Sequence, residues 1–276
     1  MRVLKFGGSS VANAENIKKV NEIIKKSAQQ DKTIIVVSAL SGITDLLLQS
    51  GTKAADGDEV YKENIRTIEH RHFEAIKQLI PVAHQSQLLS LVKKSINEIE
   101  DICNGIFLLS EITPRTKDRL ASYGEWLSSQ IIAASLNYSD FEITWKDAKE
   151  LIVTNSNFTH AEVDFEKTNK KIRTYFKETD AHTFIIPGFI AVNKKGITTT
   201  LGRGGSDYTA AIITTALNAD ILEIWTDVSG MMTADPRLTS NAKVIHHISY
   251  REAMELSHFG AKVIYPPTIQ PVMNKG

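Results

Sequence analysis

Lys5 closes a short apolar stretch, Met1-Arg2-Val3-Leu4-Lys5-Phe6, that runs straight into Gly7-Gly8-Ser9-Ser10. A strand that ends in a glycine pair can turn bare backbone N–H groups toward an anion, because glycine adopts angles other residues avoid. The Lys5 ammonium can reach the same anion. On these residues alone, a phosphate cradle and a plain strand with a glycine turn are equal alternatives. A denser stretch comes two hundred residues later. Arg203 sits among Gly202, Gly204 and Gly205, and Ser206 and Asp207 precede a helical pattern running to about Leu217. Ser206 or Asp207 could simply cap that helix. The same geometry offers free N–H groups and positive potential to an anion, and Arg203 adds a fork suited to two carboxylate oxygens. Glycines on both sides exceed what a cap needs, which favours ligand binding.

A third stretch, Ser122-Tyr123-Gly124-Glu125-Trp126, lies inside a helical pattern spanning 116–136. A glycine there costs about 1 kcal/mol against alanine, which suits a place where something must approach closely. Glu125 could then face a ligand amine; from the sequence alone a surface glutamate is the preferred reading. A fourth group follows the apolar run 221–225, where Thr226-Asp227-Val228-Ser229-Gly230 precedes a turn bearing Arg237.

These groups need elements to hold them. Ile17, Val20, Ile23 and Ile24 recur at helical spacing within 14–29, and 33–38 is a nearly continuous β-branched run. Such a run suits a strand buried on both faces of a parallel sheet. Strand, helix, strand places the Lys5 turn at a strand's carboxyl end, where open α/β sheets bind ligands. Residues 38–45 read as a small, hydroxyl-rich loop. From 52 to 111 the pattern is helical, with apolar stripes on either side of Pro81. It reads as an insertion covering one side of the sheet, without chemistry of its own; His70, His72 and His84 read as solvated or packed. Further strands are expected at 141–145, 150–154, 183–186 and 221–225, and helices at 162–177 and 249–257.

Composition narrows the function classes. The 276 residues are 42% hydrophobic, enough for a large core in one α/β domain or two lobes. Lys+Arg and Asp+Glu are both 32, so the basic excess of a nucleic-acid binder is missing. No apolar run approaches a membrane span, and the N-terminus does not read as a signal peptide. The one cysteine, Cys103, reads as a core filler, and a reducing cytoplasm is the expected compartment. No Cys/His cluster has metal-ligand spacing. Neither G-x-G-x-x-G nor G-x-x-x-x-G-K-[ST] is present, which counts against a dinucleotide-dependent dehydrogenase and a P-loop enzyme.

Assembled in order, these stretches resemble the amino-acid kinase superfamily, and within it the aspartokinases. The resemblance is carried by Lys5-Phe6-Gly7-Gly8-Ser9-Ser10-Val11, Ser122-Tyr123-Gly124-Glu125 and Leu201-Gly202-Arg203-Gly204-Gly205-Ser206-Asp207-Tyr208. It continues through Trp225-Thr226-Asp227-Val228 and Asp235-Pro236-Arg237 to Phe259-Gly260-Ala261-Lys262-Val263. It is similar in detail to the kinase portion of bifunctional aspartokinase–homoserine dehydrogenases. The resemblance implies an amino-acid kinase fold: a three-layer α/β/α sandwich with a mainly parallel central sheet and a helical insertion at about 52–111. It implies an N-terminal lobe, about 1–190, for aspartate and a C-terminal lobe, about 191–276, for ATP. The activity implied is transfer of the ATP γ-phosphoryl group to the side-chain carboxylate of L-aspartate, on the route to lysine, threonine and methionine. The family is also expected to form homo-oligomers, and its regulatory ACT region is not found in this sequence.

The resemblance also assigns roles. Lys5, Phe6, Gly7 and Gly8 would contact ATP, with Lys5 on the transferring group and Asp207 organising the lysines. Thr44, Glu125, Arg203 and Ser206 would hold aspartate, with Ser38 nearby. Thr226, Asp227, Arg237, Lys262 and Val263 would line the nucleotide site, where Met232 stands in place of the family's usual tyrosine. Mg²⁺ would be held mainly by the ATP phosphates, with no protein ligand assigned. The chemistry fits the residues: a carboxylate acceptor with a pKa of about 3.9 is already ionised and needs no general base, and phosphoryl transfer is mostly positioning and charge neutralisation. The rival readings are another kinase of this fold, acting on acetylglutamate, glutamate, carbamate or UMP, and a non-catalytic ligand sensor. The Glu125–Arg203 pair favours a zwitterionic amino acid over a nucleotide acceptor. Lys5, Asp207 and Lys262 together favour catalysis over sensing.

Overall fold

In the computed structural model, residues 1–235, 238, 239, 241–259 and 263–273 are described. The elements, in chain order, are β1 (Arg2–Phe6), α1 (Ala14–Ala28), β2 (Thr33–Val37), α2 (Ile43–Ala55), α3 (Val60–Leu79), α4 (Gln85–Leu109) and α5 (Pro114–Asn137). Then come β3 (Thr144–Trp145), β4 (Val153–Thr154), α6 (Phe165–Glu178), β5 (Thr183–Pro187), β6 (Ile190–Asn193) and β7 (Thr198–Thr200). The chain continues with α7 (Gly205–Leu217), β8 (Ile221–Trp225), α8 (Tyr250–His258) and α9 (Pro266–Met273).

The central sheet has the order β3-β5-β2-β1-β8, and every pairing in it is parallel. Its strands are apolar on both sides because both sides are covered. Leu4, Phe6, Ile35, Val37 and Ile185 point into one cluster with α1 to α5. Val3, Ile34, Val36, Phe184 and Ile186 point into another with α6 and α7. Successive side chains on a strand face opposite ways, so this alternation produces the three layers directly. Lys5 falls on the same face as Val3, toward α7.

The expected helical insertion is there as α3 and α4, but helix begins earlier than 52. Gly42, at φ +76°, starts α2 at Ile43. Thr44 therefore sits in a helix's first turn and not in a loop. The strands expected at 141–145 and 150–154 shrink to two residues each. Between them the Asp147 carboxylate accepts from the Lys149 amide and folds 148–150 into a tight turn. β4, β6 and β7 form a separate three-stranded sheet, with β4 and β6 parallel and β6 and β7 antiparallel. The chain leaves the central sheet at Pro187, which lacks an N–H for a further rung, and turns at Phe189, which holds φ +67°. Among the described residues, no helix is long and apolar enough to cross a membrane.

Candidate active site

Lys5 and Asp207 meet at the carboxyl end of β1. Lys5 Nζ lies 2.6 Å from Asp207 Oδ1, and both side chains are largely buried. Asp207 stands in the first turn of α7, and that helix starts at Gly204 without any side-chain cap. The capping alternative for Ser206 and Asp207 is thereby excluded: Asp207 is committed to Lys5. Ser206 is pressed against Gly188, where a Cβ would come within 2.6 Å of the Ser206 Cβ. Only glycine at 188 lets the start of α7 lie this close to the end of β5.

A cavity of about 470 Å³ opens over this pair. Lys5, Ser38, Thr44, Glu125, Arg203, Ser206 and Asp207 all line it. The structure thus brings together the catalytic and amino-acid-binding residues expected from the sequence, drawn from β1, the β2 and β7 loops, α2, α5 and α7. The close approach expected at Gly124 is made by the protein and not by a ligand. A Cβ there would lie 2.8 Å from Ala39 Cβ and 3.4 Å from Thr44 Oγ1. Ser128 Oγ, one turn further along α5, donates to the Ser38 carbonyl at 2.7 Å. These contacts seat α5 on the loop after β2.

Glu125 is not a surface glutamate. It is 5% exposed, and its Oε2 is buried without a hydrogen-bond partner. Burial pushes its pKa up to about 8, against partial relief from backbone amides, including that of Ala39, and from the Lys5 charge. A buried carboxylate with a free oxygen in a cavity is prepared for a cation. Arg203, across the same cavity, is exposed and lies 5.5 Å from the centre of the Tyr265 ring. The cavity therefore offers one acidic and one cationic pole, and the Lys5–Asp207 pair lines it as well.

Three further residues shape the site without a sequence motif to mark them. Asp118, 1% exposed, lines the cavity and accepts from the Thr159 amide, the Thr200 amide and Thr200 Oγ1. Burial raises its pKa and those hydrogen bonds oppose the rise. Phe189 lines the cavity in a strained left-handed conformation, its amide held by Thr209 Oγ1 at 3.0 Å. Arg71, on α3, donates to the Ser41 carbonyl at 2.6 Å and the Ala12 carbonyl at 3.0 Å. The helical insertion thus braces the loops after β1 and β2. Only the Pro187-Gly188 break hinted at Phe189; Asp118 and Arg71 are single charges in charged helices and carry no pattern.

The expected nucleotide residues gather around the end of β8. The Gly7 amide donates to the Trp225 carbonyl at 3.2 Å, and Trp225 stacks on the buried Phe6 ring at 6.0 Å. Gly8 lies against the loop after β2, where a Cβ would meet the Ala39 carbonyl at 3.2 Å. A second cavity, about 680 Å³, is lined by Trp225, Thr226, Met231, Ile245, Tyr250 and Val263 among others. Thr226 Oγ1 donates to Asp227 Oδ1 at 3.1 Å, and both side chains are exposed. Met231 and not Met232 lines this cavity; Met232 makes a β-bridge with Val244. Arg237 and Lys262 lie outside the described residues. Among the described residues, no group of three or more His, Cys, Asp or Glu side chains could hold a metal ion.

The amino acid kinase family model matches residues 1–276. The bifunctional aspartokinase/homoserine dehydrogenase of Buchnera aphidicola (subsp. Acyrthosiphon pisum) is 35% identical over 276 residues, which cover 99% of this chain and 34% of that protein. The chloroplastic bifunctional aspartokinase/homoserine dehydrogenase 1 of Arabidopsis thaliana is 36% identical over 274 residues, covering 98% and 30%. The crystal structure of E. coli aspartokinase III with aspartate and ADP superposes with a TM-score of 0.90 at 33% identity, covering 99% of this chain and 60% of that one. The chain thus spans about a third of the bifunctional relatives it matches.

Proposed function

Because the chain belongs to the amino acid kinase family, we propose that it is an aspartokinase domain, moving the ATP γ-phosphoryl group onto the side-chain carboxylate of L-aspartate. One observation carries this reading: a single cavity holds the buried Glu125 carboxylate, the Arg203 guanidinium and the Lys5–Asp207 pair. A zwitterion with a second carboxylate has three charges to place, and these residues complement all of them. Glu125 takes the ammonium. Arg203 clamps the carboxylate that does not react, with Thr44 and Ser206 completing the fit. The reacting carboxylate then faces Lys5, is already ionised at neutral pH, and needs no base to activate it.

The nucleotide would lie toward Trp225 and Thr226, with its phosphates over Gly7-Gly8 and the start of α7, so that the γ-phosphoryl group reaches Lys5. The lysine then faces the charge that develops during transfer, where a fixed cation is most effective. Asp207 holds that lysine in place. Mg²⁺ belongs to this reading as part of the ATP substrate, and supplies further charge neutralisation on the phosphates. The division into an aspartate lobe and an ATP lobe is part of the same reading, with Arg203 and Ser206 reaching into the aspartate site from the second. An aspartate-pathway role in amino-acid biosynthesis follows from the product, 4-aspartyl phosphate.

The test is a coupled ADP-release assay with MgATP and, in turn, L-aspartate, L-glutamate, N-acetylglutamate and UMP. The reading expects ADP above background with L-aspartate. ADP release with another acceptor and not with L-aspartate would replace it with a different kinase of this fold. Release with none would favour a ligand sensor.

A further inference from the structure

We propose that Asp118 is a positioning residue that sets the distance between the two poles of the amino-acid cavity and so its selectivity for substrate length. The inference rests on the aspartate reading of that cavity. Asp118 precedes Glu125 by seven residues on α5, two helical turns, so both side chains lie on one face of one rigid element, about 10 Å apart along its axis. Both line the cavity. Asp118 does not offer its carboxylate to a ligand, because both oxygens are already engaged. Oδ2 accepts from the Thr159 amide at 3.0 Å and the Thr200 amide at 3.1 Å; Oδ1 accepts from the Thr159 amide at 3.0 Å and from Thr200 Oγ1 at 2.6 Å.

Those partners are the far wall. Thr200 ends β7, and the chain passes from it through Leu201 and Gly202, at φ +72°, directly to Arg203. Thr159 is held at φ +72°, a conformation a β-branched residue adopts only when its surroundings impose it. The Thr159 carbonyl and the His160 ring lie about a Cβ's width from Gly202, at 3.1 Å each from the Cβ that an alanine would carry there. Asp118 therefore ties the strand end and the loop that cradle Gly202-Arg203 to the same helix that carries Glu125. Cutting the tie leaves each pole intact but frees the distance between them.

The experiment is calorimetric titration of the chain and its D118A and T200V variants with L-aspartate, L-glutamate and ADP. T200V keeps the β-branched shape and removes only the hydroxyl, so it serves if D118A does not fold. D118A is expected to weaken L-aspartate at least tenfold and T200V about threefold. In both, the preference for L-aspartate over L-glutamate contracts while ADP affinity stays within twofold. A merely structural role would lower affinity for the amino acids and ADP together and leave the aspartate/glutamate ratio unchanged, and that result would overturn the proposal. Unchanged L-aspartate affinity in both variants would also overturn it, leaving the aspartate reading intact. Failure of the unaltered chain to bind L-aspartate would overturn both.

Discussion

The two cavities at the carboxyl end of the central sheet are built on different physical principles. The first is lined by several charges drawn out of water: Glu125 and Lys5 are nearly inaccessible, Asp118 is saturated with hydrogen bonds, and Gly124 and Gly188 leave the room that Ala39 and Ser206 occupy. The second is lined mainly by apolar side chains, Trp225, Met231, Ile245, Tyr250 and Val263 among them, and its polar residue Thr226 is exposed and bonded to the neighbouring Asp227. Rigid, desolvated charge gives selectivity for a small ion, because each mismatched group would stay buried and unpaired. An apolar slot tolerates a larger, flatter group and discriminates less. Lys5 lines the first cavity from β1, and β1 pairs with β8, whose Ile224 and Trp225 line the second, as suits a group acting on both substrates.

The largest break in this comparison is at that shared point. Lys5→Ala is expected to lower kcat by a hundredfold or more, the scale of losing one preorganised stabiliser of transition-state charge, while the KM for L-aspartate moves little. Near-normal turnover would remove Lys5 from the chemistry. Next comes Arg203→Ala, which should raise the KM for L-aspartate about tenfold to a hundredfold, the weight of a charged hydrogen-bonded contact, with little effect on the KM for ATP.

Glu125 gives a pH signature on the same scale. Its pKa of about 8 leaves it largely protonated at neutral pH before substrate binds. Binding an ammonium requires the ionised form, so the KM for L-aspartate should fall by up to about tenfold per pH unit as pH rises from 6 to 8. Glu125→Gln should weaken binding and flatten the profile. A profile that keeps its slope in this variant would place the titration elsewhere.

His72 offers a stability control away from both cavities. Its Nδ1–H donates to the Ile68 carbonyl at 2.7 Å and its Nε2 is buried without a partner; burial, with Arg71 adjacent, lowers its pKa to about 4. Below pH 6.5 the unfolded chain binds a proton the folded chain refuses, so stability is full above 6.5 and falls as pH drops toward 4, by about 3 kcal/mol in all. His72→Leu should remove that part of the acid slope in urea titrations, and an unchanged slope would assign it to other groups. The smallest effect expected is on the apolar side: Met231→Ala should raise the KM for ATP about threefold and Met232→Ala less. The reverse order would mean that Met232 turns to the nucleotide.

The contrast also explains what could be read from the sequence. Glycine-flanked charges such as Arg203 and the Lys5 turn are visible because glycine is rare and positional, and β-branched runs such as 33–37 mark a buried parallel strand without ambiguity. Glu125 reads as a surface residue from the sequence because helical periodicity cannot tell a buried polar face from a solvated one. Gly124 did signal a close approach, but not that the approaching group would be Ala39. Asp118 and Arg71 act through partners more than 25 residues away in the chain, and no local pattern encodes such pairs. The split into two sheets depended on the Phe189 backbone, whose strain is set by packing against α7 and not by its own sequence.

The central claim is that the cavity presents an aspartate side chain to ATP as a nucleophile. The product of the proposed reaction is an acyl phosphate, which hydroxylamine converts to a stable hydroxamate. With MgATP, L-aspartate and hydroxylamine, the chain should form the aspartyl hydroxamate in step with ADP, and Lys5→Ala should form neither above background. ADP release without hydroxamate, or hydroxamate formation at the same rate in Lys5→Ala, would contradict the account.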